Sequence, residues 1–242
     1  MNIAIILASG DGERYGINLV PKHLIPLKGI PIIVWNVKSI ILSKVIDYIV
    51  IVTKKKSFDS TRESLDASIK KTHYQNIKLV EGAPDRMNSF LNGLRYVEKR
   101  EGLNDGDNIF LFDANRPLVN PKQIQILVNE SKKFGAACLG RPIVNGIANV
   151  KNDQIFNVPT KEDFFEIVTP EVMNFYLLRD SLEVSNKKLP SLVDYAINIG
   201  IKPKIVPSND LNTKLTYPED KFILEALIEK NNLETLFYKE QD

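Results

Sequence analysis

Cysteine and histidine are nearly missing from this chain: one Cys, at 138, and two His, at 23 and 73, in 242 residues. A lone thiol excludes a disulfide framework within the chain. So few imidazole and thiolate groups leave a His- or Cys-based zinc site and a histidine-centred triad short of parts. Excess charge of one sign is missing too, since 32 Lys+Arg face 30 Asp+Glu and the net charge is +2. That balance argues against a nucleic-acid or membrane-surface protein, which would carry a basic surplus. No run approaches the roughly 20 apolar residues of a membrane span. The first apolar run, Ile3 to Ala8, is too short for a secretory signal and lacks a basic lead. Repeats, low-complexity tracts and Gly/Ser linkers are absent. The expectation is a soluble cytoplasmic protein without nucleic-acid or membrane partners, and 43% hydrophobic residues suffice for one sizeable core.

What is present is an alternation of apolar runs and amphipathic stretches. Strands are expected at 2–7, 46–53, 76–82 and 108–113. Helices are expected at 31–44, where Pro31 suits a first turn, at 57–71, at 86–100 behind a capping Asp85, and at 121–134. Strands apolar on both faces that alternate with helices predict a mostly parallel α/β sheet flanked by helices. Between about 142 and 168 the pattern changes to short strand-like pieces around the turn signal "KND", which predicts a protruding β-arm. Helical character returns at 171–182, 189–199 and 218–231. The organisation expected is a single domain over 1–242 with the arm inside it.

The first strand runs into "LASGDGERYG" (7–16), with glycines at 10, 12 and 16. This spacing fits neither the dinucleotide fingerprint G-x-G-x-x-G nor the P-loop G-x-x-x-x-G-K-[ST]. A glycine-rich loop after a first strand still cradles phosphates through backbone N–H groups, and Arg14 and Lys22 add two cations suited to a triphosphate. Three further stretches add to the case for a ligand site. "EGAPDRMNSFLNGL" (81–94) follows the third strand. "FDANRPLV" (112–119) puts Asp113 at the carboxyl end of the fourth, where open α/β sheets bind ligands. "NDLNTKLTYPED" (209–220) puts Lys214 just before a helix.

With "PKHLIPLKGIPII" and "VTPE", these motifs stand in the order and spacing of a known family. From Ile3 to about Leu227 the chain resembles the 2-C-methyl-D-erythritol 4-phosphate and ribitol-5-phosphate cytidylyltransferases. The resemblance implies a Rossmann-like nucleotidyltransferase fold, CTP as substrate, Mg2+, and a homodimer joined through the β-arm. It also implies transfer of CMP to a small phosphorylated acceptor with release of pyrophosphate. Carried over by motif, Ala8, Ser9, Gly10 and Gly12 wrap the triphosphate and nucleoside. Arg14 and Lys22 neutralise phosphates, and Lys214 bridges the α-phosphate and the acceptor. Ala83 and Ser89 stand where the family meets the base. Asp113 helps to hold Mg2+, with Ala114 and Arg116 beside it; Arg116 faces the site or pins its own loop. Gly146 and Lys161 occupy acceptor-side positions on the arm. Arg86 is expected to be mainly structural, bonding loop carbonyls, and His23 replaces a glutamine common in the family.

The acceptor half departs from the family. The usual "DTIK" is "NGIA" (145–148), so a threonine becomes Gly146. An arginine of the arm becomes Lys161, which keeps the charge and loses the bidentate fork. "TD(D/E)" becomes "PSL" (190–192). These changes point to an acceptor outside isoprenoid synthesis: a polyol or sugar phosphate for capsule or teichoic-acid-type polymers, or an unusual phosphate such as L-glutamine phosphate. Methylerythritol phosphate, or a different nucleoside triphosphate, stays open as the alternative.

Overall fold

The computed structural model describes residues 1–10, 20–70, 76–208 and 211–235. Its centre is a seven-stranded sheet of β1 (Asn2–Leu7), β4 (Tyr48–Thr53), β5 (Ile77–Glu81), β6 (Asn108–Asp113), β7 (Ala136–Pro142), β10 (Phe165–Asn174) and β11 (Lys204–Pro207), in spatial order β11-β7-β10-β6-β1-β4-β5. The pairs β1–β4, β1–β6, β4–β5 and β7–β11 are parallel, and β10 runs antiparallel to both β6 and β7. The sheet is therefore mixed and mostly parallel, as the sequence predicts.

Residues alternate across β1. Ala4 and Ile6 enter one apolar cluster, with Ile33 and Val37 of α1 (Ile32–Ser43) and Ile124 and Leu127 of α4 (Pro121–Phe134). Ile3 and Ile5 enter the opposite cluster, with Phe90 and Leu94 of α3 (Arg86–Glu101), Leu178 of α5 (Phe175–Val184) and Tyr195 of α6 (Leu192–Asn198). A strand covered on both faces has to be apolar throughout, which is how "NIAIIL" reads. A third cluster joins Trp35 and Ile32 to Leu27, in the small hairpin of β2 (Pro26–Leu27) and β3 (Ile30–Pro31), and to Leu224 and Ile228 of α7 (Asp220–Lys230). Among the described residues the remaining α-helix is α2 (Phe58–Asp66).

Helix ends follow local chemistry. The Asp85 side chain accepts the Asn88 N–H at 2.8 Å and starts α3. Asn120 caps α4 ahead of Pro121, and Gly135 closes that helix with a φ of 78°. The excursion at 142–168 contains the hairpin of β8 (Asn149–Lys151) and β9 (Gln154–Asn157). Asn152 and Asp153 make its turn with φ of 51° and 60°, the left-handed pair that two-residue hairpins need.

The sequence reading errs in one place and omits four strands, β2, β3, β7 and β11. Helix is expected from 171, yet 171–174 belong to β10, and α5 begins only at Phe175. Val172 and Met173 are fully buried on opposite faces of the sheet. Such an apolar run carries no alternation to mark it as strand. β2, β3 and β11 are only two to four residues long, and β7 follows α4 with Gly135 alone between them.

Candidate active site

β1 has β4 on one side and β6 on the other, so the chain turns to opposite sides of β1 in succession. Outside the carboxyl ends of strands at such a switch point, connecting loops part and leave a crevice. There a cavity of about 440 Å³ is walled by Ser9 and Gly10 after β1, Ala83 to Arg86 after β5, and Asp113 to Asn115 after β6, with Lys22, His23 and Lys214. Three cations (Lys22, Arg86, Lys214) against two carboxylates (Asp85, Asp113) line this space. It therefore favours an anion.

Asp113 is the electrostatic hub. One oxygen, Oδ1, accepts from Arg86 Nη2 at 3.0 Å and Nε at 3.3 Å, and Oδ2 accepts from Lys214 Nζ at 3.3 Å. Burial opposes its ionisation, yet Arg86 and Lys214 together hold the carboxyl below the usual range. The Asp113 N–H donates to Thr169 Oγ1 at 3.2 Å, which fixes the end of β6 against β10. Arg86 also donates through Nη1 to the Pro190 carbonyl at 2.7 Å. It thus bonds a loop carbonyl as expected and in addition stands in the cavity wall and grips the site's buried carboxylate.

Lys214 lies on a segment tied down on both sides. Leu215 N donates to the Asn115 carbonyl at 2.8 Å, and Asn115 Nδ2 returns a bond to the Leu215 carbonyl at 3.2 Å. Asp220 Oδ2 accepts the Thr216 and Tyr217 N–H groups at 2.7 and 2.8 Å. Lys22 Nζ reaches the Thr216 carbonyl at 3.1 Å, so the two lysines approach the cavity through one strap of backbone.

Gly82 is where the two phosphate-side loops touch. A Cβ there would stand 2.5 Å from Ser9 Cβ and 3.0 Å from its Oγ, so only glycine lets the loops meet. Ser89 binds the pair together: its Oγ accepts from Ala83 N at 2.9 Å, donates to the Ala83 carbonyl at 3.1 Å and meets Ser9 Oγ at 3.0 Å. Ser89 is fully buried and lies behind the wall that Ala83 forms. The Ala8 N–H is committed to the Val52 carbonyl at 2.8 Å, so anion contacts from this loop fall to amides beyond it. His23 is 3% exposed, with Nε2 2.9 Å from Thr61 Oγ1. Burial pushes its pKa down to about 4 against a hydrogen bond to the Ala8 backbone, so it is neutral at pH 7 and braces the loop.

The structure therefore brings together Ala8, Ser9, Gly10, Lys22, Ala83, Asp113, Ala114 and Lys214. It does not bring in Arg116, which is 5% exposed, donates to the Asn212 carbonyl at 2.8 Å and lies 3.7 Å from Glu166; it pins its own loop. Gly146 and Lys161 lie on the arm away from the cavity wall, where Lys161 Nζ donates to the Val144 carbonyl at 3.1 Å. Gly12 and Arg14 fall outside the described residues. Cys138 is buried, and burial pushes its thiol up to about 12, an inert side chain. Sequence reasoning missed Glu171 and Thr169. Both sit in "VTPE", on the irregularity of β10 between Val168 and Glu171, which no periodicity announces.

Among the described residues no group of three or more His, Cys, Asp or Glu could hold a metal ion. The donor set nonetheless fits Mg2+, which takes one or two carboxylates plus the substrate's phosphate oxygens rather than an all-protein cage. Asp113 would supply that carboxylate, because Asp85 is spent on capping α3. Among the described residues no helix is long and apolar enough to cross a membrane.

The model of the IspD, 2-C-methyl-D-erythritol 4-phosphate cytidylyltransferase, family matches residues 2–230. Similar solved structures include 4-diphosphocytidyl-2C-methyl-D-erythritol synthase from Anaerococcus prevotii DSM 20548, at TM-score 0.76 and 20% identity over 94% of this chain and 96% of that one. The 2-C-methyl-D-erythritol 4-phosphate cytidylyltransferase of Francisella tularensis gives TM-score 0.73 and 21% identity over 92% and 97%. That of Thermus thermophilus gives 0.70 and 17% over 95% and 100%. At these identities the solved structures speak for the fold, and the family model, spanning nearly the whole chain, speaks for membership. The chain belongs to the IspD family and is a cytidylyltransferase, transferring CMP from CTP.

Proposed function

We propose that this enzyme transfers CMP from CTP to a small phosphorylated acceptor other than methylerythritol phosphate, in the cytoplasm, for a cell-surface polysaccharide or capsule precursor. The observation that carries the reaction is the Arg86–Asp113–Lys214 cluster facing the glycine loop across one cavity. An acceptor phosphate oxygen attacks the α-phosphorus of CTP. The new P–O bond forms as the bond to the β-phosphate's bridging oxygen breaks, and pyrophosphate leaves with that electron pair. A phosphate monoester is already a nucleophile near neutral pH, so positioning and charge stabilisation carry the catalysis and no strong base is needed.

Lys214 is placed to bridge the α-phosphate and the acceptor, and Lys22 to meet the leaving pyrophosphate together with Arg14. Backbone of Ser9, Gly10 and Gly12 cradles the triphosphate, and the Ala83 turn, braced by Ser89, meets the base. Bound through Asp113 and the triphosphate, Mg2+ would neutralise phosphate charge. Asp113 orients Lys214 in the meantime.

The acceptor reading rests on the altered patch at Gly146, Lys161 and Pro190. The Pro190 carbonyl is bonded by Arg86 at the edge of the cavity, so that substitution lies close to the chemistry. Polyol, sugar and L-glutamine phosphates are the classes favoured. A homodimer is part of the reading. The arm exposes Val144 at 79%, Phe156 at 67% and Val158 at 67%, with Ile155 beside them at 65%, and such a stripe wants cover. The family match alone favours methylerythritol phosphate as the second reading.

The test is pyrophosphate release with Mg2+, using CTP, UTP, ATP and GTP against methylerythritol, ribitol, glycerol and sugar phosphates and L-glutamine phosphate. Release with CTP and one acceptor other than methylerythritol phosphate is expected. Efficient turnover of methylerythritol phosphate overturns the acceptor reading, and preference for another triphosphate overturns the reaction.

A further inference from the structure

Behind the cavity, Glu171 is 3% exposed on β10, one residue past the cis Thr169–Pro170 peptide, and it has no part in the chemistry above. Its Oε2 accepts the Val193 N–H at 3.1 Å, and its carboxylate also takes the Leu192 amide. The same stretch of chain is held at a second point, where Arg86 Nη1 donates to the Pro190 carbonyl at 2.7 Å. Ser191 leaves nothing over: its hydroxyl donates to Asp194 Oδ2 at 2.5 Å and accepts the Asp194 N–H at 3.1 Å. Leu189 N reaches Tyr195 Oη at 3.3 Å. Residues 189–194 therefore form a segment whose backbone is fixed at several points, and whose altered Pro190 borders the cavity through Arg86.

A buried carboxylate is an expensive way to secure two amides. Burial pushes the Glu171 pKa up to about 7, with Asp113 adding to the rise and Arg86 and the Val193 and Leu192 amides working against it. The Cys138 thiol on β7 completes the groups facing it. A position needed only for packing would be served better by an apolar side chain. Charge-assisted bonds are roughly twice as strong as neutral ones, so a carboxylate is the acceptor of choice where the segment has to be held firmly.

We infer that Glu171 is a positioning residue for the acceptor: with Arg86 it holds residues 190–193 at separate points and so fixes the wall against which the acceptor phosphate is placed. The inference rests on the reading of that wall as the acceptor side. A rigid wall discriminates acceptors by shape, and loosening it costs acceptor affinity while leaving the nucleotide cradle, on the other side of Asp113, unchanged.

Two variants of the full chain test this. Glu171→Met removes the acceptor atoms, and Glu171→Gln keeps one oxygen at reduced strength. Backbone amide exchange is read at Leu192 and Val193, and KM is measured separately for CTP and for whichever phosphate of the panel the wild type turns over. Glu171→Met is expected to lose about tenfold in protection at these amides and to raise the acceptor KM by a similar factor with the CTP KM unchanged, and Glu171→Gln to restore most of both. Unchanged protection in Glu171→Met overturns the clamp. Lost protection with no change in the acceptor KM, or with an equal change in the CTP KM, overturns its acceptor role. Should Glu171→Met not fold, Glu171→Ala takes its place, and wild-type values for both quantities in that variant overturn the inference. The exchange measurement needs no acceptor, so it stands whether or not the proposed acceptor class does.

Discussion

Arg86 and Asp113 are joined by two hydrogen bonds to one carboxylate oxygen, from Nη2 at 3.0 Å and Nε at 3.3 Å, while Lys214 holds the other oxygen at 3.3 Å. Removing the charge of Asp113 frees both cations at once. Asp113→Asn is expected to lower kcat about 100-fold, the usual cost of one electrostatic group in a preorganised site. Because Arg86 acts largely through Asp113, the double variant with Arg86→Met should be far less than additive, with a coupling of about 1–3 kcal/mol. Additive losses in kcat would show that the two act independently. The carboxyl's depressed pKa adds a pH signature. Its contribution to stability is fully present above the ordinary carboxylate value and is lost as pH falls through the depressed one. Asp113→Asn should therefore cost stability in urea at pH 7 and lose that deficit toward pH 2.

The contact of Gly82 with Ser9 makes a separate prediction about the nucleotide. A methyl group placed 2.5 Å from Ser9 Cβ meets a backbone-proximal atom that cannot swing away. Gly82→Ala should push the glycine loop out and weaken CTP binding by about 10- to 100-fold, a few kcal/mol of the size typical for overpacking. Titration calorimetry with CTP measures it directly. Binding within a factor of two of wild type would mean that the loops part without consequence.

Much of this was legible in the sequence because it depends on local chemistry. A strand such as "NIFLFD" is apolar on both faces and reads as buried, and its last residue falls at a carboxyl end by construction. Asp113 is legible in this way; Lys22 is marked by its nearness to the glycine loop, and the role of Lys214 comes from the motif resemblance. What was not legible depends on pairing at long range. The resemblance stands Ser89 at the base, and only the folded chain shows its hydroxyl turned to Ala83 and Ser9. Arg116 is open in the sequence between facing the site and pinning its own loop, and only its bonds to Asn212 and Glu166 decide for the loop. Glu171 hides in a run taken for helix, because β10 enters the sheet between two strands and buries both of its faces there.

The arm leads to a prediction about assembly. Ile155 and Phe156 are 65% and 67% exposed in the β8–β9 hairpin, and neither has a role in the cavity. In a homodimer joined by the arms they are covered. The double substitution Ile155→Asp and Phe156→Asp should convert a dimer to a monomer in light scattering coupled to size exclusion, with little loss of thermal stability in the isolated chain, since the side chains are exposed there. A wild-type chain that runs as a monomer at tens of micromolar would remove the dimer from the proposed function.

Glu171 also makes a prediction about stability that runs opposite to that for Asp113. Its folded pKa is raised to about 7 from 4.5, first by burial, so between these values the folded state binds the extra proton. Stability from this group therefore falls as pH rises from 4.5 to 7, and the cost is complete above 7, at roughly 3 kcal/mol for a shift of this size. Glu171→Gln cannot ionise and avoids that cost. In urea unfolding the variant should be more stable than wild type at pH 8 and should lose most of that advantage by pH 5, where the native carboxyl is protonated anyway. An advantage of the same size at both pH values would show that packing, not charge, separates the two proteins. A buried carboxylate kept at a net cost to the fold is what a positioning role requires, because the group serves the held segment and not the core around it.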